Sequence, residues 1–289
     1  MERELWKLLY AIATKLGDRF GHWKYSAADI VVVYLWCALH DRPMCWGVHK
    51  ANWPDDLRPS YLVPQSTFSR RMRRPDAQQL MMDIENAWLA LAGTSRWLLR
   101  IIDGKPLAVS GVSKDPDAGY GRGAGGMQKG YKFHVVWATG PLPLAWGLAP
   151  INRGEPTMAR WLIPSLPESG YLLGDTAYDS NHLYDLAHAN EHQLLAVKRR
   201  KHGGLGHHRH SPYRLRCIEL MKREFGKGLY RFRRQVERNL GNLVGFGGGL
   251  ICLPPWVRRL PRVRNWVQAK LLINAARWFK NHPEVTALA

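Results

Sequence analysis

The alternation of short apolar runs with helical segments between residues 96 and 200 constrains the fold more than any other feature of this sequence. Three runs rich in β-branched and aromatic residues come first, with the sequences WLLRIID, KGYKFHVVWAT and PLAWGLAPI. Two further runs, GYLLGD and HQLLAVKRR, are each preceded by a segment of helical character, at residues 157–166 and 181–190. A strand meander followed by strands that alternate with helices predicts an α/β fold, a mixed sheet with flanking helices.

The first 95 residues differ from this pattern and predict an all-helical region. Apolar residues recur at helical spacing from Leu5 to Leu16, and residues 27–39 form an apolar run that predicts a second, buried helix. Residues 76–92 predict another helix. We therefore expect a helical domain at residues 1–95 and an α/β domain at residues 96–282.

The charge of the chain points to a polyanionic partner. Lysine and arginine number 42 against 23 acidic residues, which gives a formal net charge of +19. Nucleic acid is the commonest partner of so basic a protein, with an anionic membrane surface as the weaker alternative. The longest apolar run, residues 30–39, is too short to span a bilayer. Four scattered cysteines indicate neither a zinc knuckle nor a disulfide framework and favour a reducing cytoplasm.

Two basic segments are candidates for DNA binding. The sequence QSTFSRRMRRP predicts a short helix that begins at Gln65 after a proline and is closed by Pro75. A recognition helix in a DNA groove and a solvated basic helix explain it equally well. Residues 198–238 carry fourteen lysines and arginines against three glutamates, and we expect phosphate to lie there. This second segment is expected to be a linker followed by one arginine-rich helix.

Three acidic residues suggest metal chemistry. Asp103 follows the apolar run LLRII and Asp175 follows YLLG, so each is expected at the carboxyl end of a strand. Open α/β sheets place their ligands at that edge. Two neighbouring carboxylates repel each other unless a cation lies between them, and hard divalent cations prefer oxygen ligands. Glu237 lies seven residues after Tyr230, so one helix would present both on one stripe and complete the metal site.

The order of these acids resembles that of the DDE transposases of bacterial insertion sequences. The segment Tyr230-x-x-Arg233-x-x-x-Glu237 matches the first three residues of the YREK signature of one large group in this family, while the position of the signature lysine is Val244. The segments VERNLGNL, GDTAYDS, KGYKFH and QSTFSRRMRR resemble further blocks of the family. Together these resemblances extend over nearly the whole chain.

This resemblance implies a ribonuclease H-like fold in which Asp103, Asp175 and Glu237 bind Mg²⁺, with Mn²⁺ as an alternative. It implies cleavage at transposon ends, which frees a 3′-hydroxyl that then attacks target DNA. The implied partners are the double-stranded DNA of the transposon ends and of the target, with a homodimer formed on DNA and no membrane. The implied location is the bacterial cytoplasm, at the nucleoid.

The resemblance also implies that Tyr230 and Arg233 contact DNA phosphates near the catalytic acids. The other side chains that we expect to contact DNA are basic and are Arg234, Lys129, Lys132, Arg70 and Arg71.

Two other classes of protein remain open. A tyrosine recombinase would use Tyr230 among its arginines without metal, which leaves the strand-end aspartates unexplained. A decayed or repurposed transposase would bind DNA without cleaving it.

Two further segments lack a clear catalytic signal. The glycine-rich residues 121–130 lack the Gly-Lys-Ser/Thr ending of a phosphate loop and predict a flexible loop between the first two strands. The histidines at positions 202, 207, 208 and 210 are typical of a solvated loop more than of a metal site.

Overall fold

The computed structural model describes residues 2–17, 24–93, 97–123, 125–199, 204–205, 209–245 and 249–283 of the 289-residue chain. Contacts divide the chain into two compact units. One unit is helical and joins Met1–Ala92 to Asn242–Ala289, and the other is Gly93–Gly241. No pattern in the sequence predicts that the C-terminal segment belongs with the N-terminal helices. The functional division at residues 95 and 96 stays a prediction.

The main helices and strands follow the chain in the order α1 (Glu2–Gly17), α2 (Ala27–Leu39), α3 (Met44–Gly47), α4 (Gln65–Arg71), α5 (Pro75–Ala92), β1 (Leu99–Ala108), β2 (Gly119–Gly123), β3 (Gly126–Trp137), β4 (Ala145–Pro150), α6 (Glu155–Leu162), β5 (Gly170–Gly174), α7 (Asn181–Ala189), β6 (His192–Ala196), α8 (Pro212–Lys222), α9 (Glu224–Arg231), α10 (Arg234–Val244) and α11 (Leu260–Asn281). None of the helices in the described ranges combines the length and the apolar character that a bilayer-spanning segment requires.

The core of the helical unit surrounds α2, which is buried along nearly its whole length. This helix begins at a capping box, in which the Ser26 hydroxyl accepts a hydrogen bond from the Asp29 backbone and the Asp29 carboxylate accepts one in return. The predicted buried helix at residues 27–39 is thus confirmed. Trp36 extends the core: its ring meets Trp6 edge-on and stacks on Trp53, at centroid distances of 5.0 and 4.6 Å respectively.

The other unit contains a six-stranded mixed sheet in the order β2-β3-β1-β5-β6, with β4 paired to β3. Strand β1 pairs antiparallel with β3 and parallel with β5, and β5 pairs parallel with β6. Helices α6 and α7 provide the crossovers to β5 and β6. This mixture of an antiparallel meander and a parallel half confirms the predicted ribonuclease H-like fold with flanking helices and an all-helical N-terminal region.

The glycine-rich segment at residues 121–130 is not the flexible loop that the sequence analysis predicted. Residues 119–123 and 126–130 pair as an antiparallel hairpin formed by β2 and β3. Gly126, at φ +106°, provides the positive backbone angle next to the turn. No residue of β2 is buried and the strand is held by backbone pairing, which explains why the hydrophobic pattern did not reveal it.

The basic segment after β6 is also more ordered than the predicted linker. Helix α8 begins after Ser211, whose hydroxyl accepts a hydrogen bond from the Tyr213 backbone, and Pro212 occupies its first position. A buried ion pair fixes it, because Arg214 donates from Nε and Nη2 to both carboxylate oxygens of Asp179, at 2.7 and 2.8 Å. His210 lies beside Arg214, whereas the other three histidines of the predicted solvated loop lie outside the described residues.

Candidate active site

The register of the sheet places Asp103 level with Asp175. In the parallel pair of β1 and β5, Leu99 lies opposite Tyr171 and Ile101 lies opposite Leu173. The same offset makes Asp175 the counterpart of Asp103, two residues beyond the last parallel pair. Asp175 follows the end of β5 as predicted, but Asp103 lies in the middle of β1, because that strand continues to Ala108 along β3.

Each aspartate is oriented by the backbone. One carboxylate oxygen of Asp103 accepts a hydrogen bond from the Gly104 amide at 2.8 Å. The Asp175 carboxylate caps the following 3₁₀ turn by accepting from the Ala177 amide at 2.8 Å. In both cases the backbone amide engages only one carboxylate oxygen, and the second oxygen of Asp103 faces Arg233 at 3.7 Å.

Arg233 connects Asp103 with Glu237. Its guanidinium nitrogens lie 3.7 Å from a carboxylate oxygen of Asp103 and 3.7 Å from one of Glu237. The Nε atom of Arg233 is buried without a hydrogen-bond partner among the described residues. Both ion pairs are longer than a hydrogen bond, so the arginine balances the charge of the acids without locking their positions.

The single helix that the sequence analysis predicted for Tyr230 and Glu237 is wrong. Helix α9 ends at Arg231 and α10 begins at Arg234. The backbone hydrogen bonds around this break join residues three apart instead of four. Despite this break, Tyr230 still lies next to the strand that leads to Asp175. The Tyr230 hydroxyl donates to the carbonyl oxygen of Gly174, the residue before Asp175, at 3.0 Å. Asn239 anchors α10 by donating to the carbonyl of Ala138 after β3, at 3.3 Å.

Asp103 and Glu237 lie in different electrostatic environments. Burial raises the pKa of Asp103 above its ordinary value, the negative charges of Asp175 and Glu237 raise it further, and the Gly104 amide and Arg233 lower it in part. Glu237, by contrast, is 63% exposed. The sheet therefore holds a partly buried pair of acids, and α10 brings a third, exposed carboxylate near enough to raise the pKa of Asp103.

Lys132 belongs to a polar cluster near Asp103 whose other members, Glu155 and His134, were not predicted from the sequence. Lys132 forms a 2.6 Å ion pair with Glu155 at the start of α6. His134, which lies opposite Gly104 on the neighbouring strand, is buried with both ring nitrogens lacking a partner among the described residues, and burial lowers its pKa to about 4. No short motif marks this cluster, since Glu155 resembles any acid in a first helical turn.

The remaining predicted DNA contacts are placed differently from one another. Arg234 is exposed and, with Tyr230, Arg233 and Glu237, lines a cavity of about 320 Å³. Lys132 is ion-paired with Glu155, and Lys129 donates a hydrogen bond to the Ser113 carbonyl at 2.6 Å. These two lysines therefore have structural partners within their own unit.

In the helical unit the two predicted arginines of α4 differ. Arg70 is exposed. Arg71 is buried, donates to Asp76 at 2.7 Å and to the Tyr25 carbonyl at 2.9 Å. Its placement does not support a phosphate contact.

The acids fit a hard divalent cation in part. Asp103 and Asp175 lie side by side at the end of the parallel pair, and the buried hydroxyl of Tyr178 close to both has no partner among the described residues. Carboxylate oxygens in such a pair are the ligands that Mg²⁺ prefers. However, no group of three potential metal-ligating side chains is preassembled in the described parts of the chain. Glu237 must turn towards the aspartates to complete a site.

A ribonuclease H-like sheet with paired aspartates at this position is the arrangement of the phosphodiester-processing enzymes built on that fold. Comparison of the chain with models of known protein families shows its family. Residues 98–253, more than half of the chain, match the model of the family described as Transposase DDE domain, so the chain belongs to this family. The family implies a transposase function on DNA. The match is to the family as a whole, and membership of the YREK group stays a prediction. No curated protein and no solved structure matches the chain.

Proposed function

We propose that this chain is a DNA transposase of an insertion sequence, which binds the transposon ends and catalyses metal-dependent strand cleavage and strand transfer. Asp103, Asp175 and Glu237 are proposed as the catalytic acids. The observation that carries this proposal is the shared register of Asp103 and Asp175, together with the arginine that links Asp103 to Glu237.

The proposed metal ligands are the two aspartates and, after rotation of its exposed side chain, Glu237. Mg²⁺ or Mn²⁺ held there would supply Lewis acidity that makes an oxygen nucleophile stronger and stabilises the leaving oxygen of a phosphodiester. The protein's own contribution is to hold the acids close together in a partly buried place: burial first, and then the negative charges of Asp175 and Glu237, raise the pKa of Asp103.

Arg233 has two proposed tasks. In the free protein its guanidinium balances the negative charge of Asp103 and Glu237. With DNA bound, the same group is expected to move towards a phosphate, because arginine pairs with phosphate oxygens in a bidentate geometry. Arg234, exposed on the first turn of α10, and Tyr230 on the wall of the same cavity are expected to hold the adjoining backbone. Two ends must be joined in one complex, so a homodimer on DNA is part of the proposal.

The metal-independent alternative is disfavoured by the surroundings of Tyr230. A recombinase tyrosine must become a nucleophilic phenolate. Here burial raises the pKa of Tyr230, and its hydroxyl donates to the Gly174 carbonyl. The group is thus held in its neutral, donating form, as expected of a positioning residue.

The test is cleavage of a linear duplex that carries the genomic sequence flanking the coding region of this chain. We expect strand cleavage with Mg²⁺ and none with EDTA. Asp103→Ala and Asp175→Ala should abolish cleavage while leaving salt-sensitive DNA binding intact. Asp185→Ala is a matched control, because Asp185 is an exposed aspartate on α7 of the same unit.

Three outcomes contradict the proposal. Cleavage that survives EDTA and leaves protein attached to DNA would establish the tyrosine mechanism. Cleavage that survives Asp103→Ala would remove the proposed acid. Tight binding of the flanking DNA without cleavage under Mg²⁺ and Mn²⁺ would identify a repurposed DNA-binding protein.

A further inference from the structure

The helical unit contains a cavity of about 320 Å³ that plays no part in the proposed chemistry. Five segments contribute to it: α2, residues 42–45 at the start of α3, helix α4 with the two residues that follow it, the segment before α11, and α11 itself. Its volume is at the lower end of the range of about 300–1,000 Å³ typical of small-molecule sites. A ligand of the size of one nucleotide suits it better than a larger one.

The rim of the cavity is positively charged. Arg42, Arg73 and Arg262 line it, and none of its lining residues is acidic. All three arginines are exposed, and none has an ion-pair partner in the parts of the chain that the structure describes. The acid next to Arg42, Asp41, is held by Lys270 at 2.6 Å. The uncompensated guanidiniums are therefore suited to bind phosphate oxygens.

The floor of the cavity is apolar and aromatic. Tyr34, Met72, Val257 and Trp266 are buried and line it, and Trp256 stands at its edge, 40% exposed. Flat aromatic side chains at the edge of a slot stack on nucleic acid bases without regard to sequence. A site for phosphate alone would not need this apolar floor, and a site for an apolar ligand would not need three arginines.

A buried donor in the wall lacks an acceptor. Trp266 is only 2% exposed, and its indole nitrogen is buried without a hydrogen-bond partner among the described residues. Tryptophan can only donate, and a buried unsatisfied donor costs about 1–3 kcal/mol. This nitrogen is buried from solvent, so an acceptor on a bound base can reach it and remove that cost only after Trp266 or a neighbouring side chain moves.

We propose that this cavity, lined by Arg42, Arg73, Trp256, Arg262 and Trp266, binds one unstacked nucleotide of DNA, with the base in the slot and its phosphates on the arginines. Gln65, Ser69 and Arg73 lie four residues apart along one side of the α4 region and face the cavity. The helix suggested for groove recognition thus turns one side to a single nucleotide. The proposal depends on the proposed function only for the identity of DNA as the nucleic acid.

The test compares two probes of the same length, a single-stranded thymidine decamer and its abasic counterpart, in fluorescence anisotropy. The full-length chain carries Asp103→Ala and the buffer lacks divalent metal, so that binding is measured apart from catalysis. We expect the thymidine probe to bind about tenfold more tightly than the abasic one, from the usual strength of base stacking on aromatic side chains. Trp256→Ala should bring the two affinities close to each other.

Trp161→Ala is the matched control, because Trp161 is a 76% exposed tryptophan in the other unit and should leave the preference for bases unchanged. A second measurement reports the location. Cys45 lines the cavity and Cys252 is exposed outside it, and both thiols are free. The thymidine probe should slow alkylation of Cys45 relative to Cys252.

Equal affinity for the two probes would overturn the proposal, as would a base preference that survives Trp256→Ala or an unchanged alkylation rate of Cys45. Each of these results is independent of DNA cleavage. A failure of the catalytic proposal therefore leaves this inference standing, and the reverse also holds.

Discussion

Replacing Arg71 by alanine separates structural arginines from DNA-binding ones in α4. Arg71 donates to Asp76 and to the Tyr25 carbonyl, and the side chains of Arg71 and Asp76 are 8% and 17% exposed. The adjacent Arg70 is exposed. The sequence presents the two residues as equivalent, whereas the structure gives them different environments.

The size of the effect follows from what Arg71→Ala leaves behind. Removing one partner of a buried ion pair costs about 3–5 kcal/mol, because the other charge stays buried without compensation. Asp76 keeps a hydrogen bond from the Ala77 amide at 3.0 Å and some exposure. We therefore expect the lower end, about 3 kcal/mol. An exposed arginine such as Arg70 should change the free energy of unfolding by about 0.5 kcal/mol at most.

The assay is urea unfolding of the full-length chain, followed by far-UV circular dichroism, with DNA binding measured at several salt concentrations. Arg71→Ala should lower the transition of the helical unit, and Arg70→Ala should not. Arg70→Ala should instead reduce the slope of log affinity against log salt by about 0.9, the value for one lost phosphate contact. The reasoning is refuted if Arg71→Ala unfolds like the parent protein and loses DNA affinity as Arg70→Ala does.

Three further predictions concern the sheet unit. Asp179→Ala should destabilise it by about 3 kcal/mol by leaving Arg214 without its buried partner. Burial would raise the pKa of Asp179, but the hydrogen bonds from Arg214 hold it below 3.8, so the difference in unfolding free energy from the parent should shrink only as pH falls below that value. Gly226→Ala places a methyl group against the Leu220 carbonyl oxygen of α8, closer than van der Waals contact allows, and should cost about 1–3 kcal/mol. Gly228→Ala, with open space around it, should stabilise α9 by about 0.5–1 kcal/mol, and thermal melts of both glycine variants check this. Glu155→Gln should cost about 1.5–3 kcal/mol at neutral pH through the lost charge-assisted hydrogen bond. Burial would raise the pKa of Glu155, but the lysine that pairs with it brings the pKa below 4.5, so the unfolding midpoints of variant and parent should converge in more acidic solution.

Local sequence patterns were reliable where one residue type dominates its surroundings. The apolar run of α2 and the strand that ends before Asp175 have the predicted character, because burial of a continuous apolar segment leaves few alternatives. The alternation of strands and helices was sufficient to predict the mixed sheet. The glycines of β2 were misleading, since that strand is held by its backbone and shows no side-chain pattern.

The candidate site was predictable in its residue types but not in its arrangement. Asp103, Asp175 and Glu237 were found from their positions at predicted element ends and from the resemblance to a family. Nothing local signals that the helix breaks between Tyr230 and Glu237, because residues 229–240 contain neither glycine nor proline. The pair of Arg233 with Glu237 is an i,i+4 contact that spacing allows, whereas its pair with Asp103 joins two segments far apart in the chain and could not be read from spacing.

The sequence by itself determined the basic charge, the helical and α/β regions, and the set of acids that we propose as metal ligands, since these depend on residue types and short periods. Only the tertiary structure decided that Arg71 is buried while Arg70 is exposed, and that the C-terminal helix completes the N-terminal core. It also decided that the register of two parallel strands brings Asp103 level with Asp175. These outcomes depend on contacts between residues far apart in the chain, and their energies have no counterpart in any local pattern.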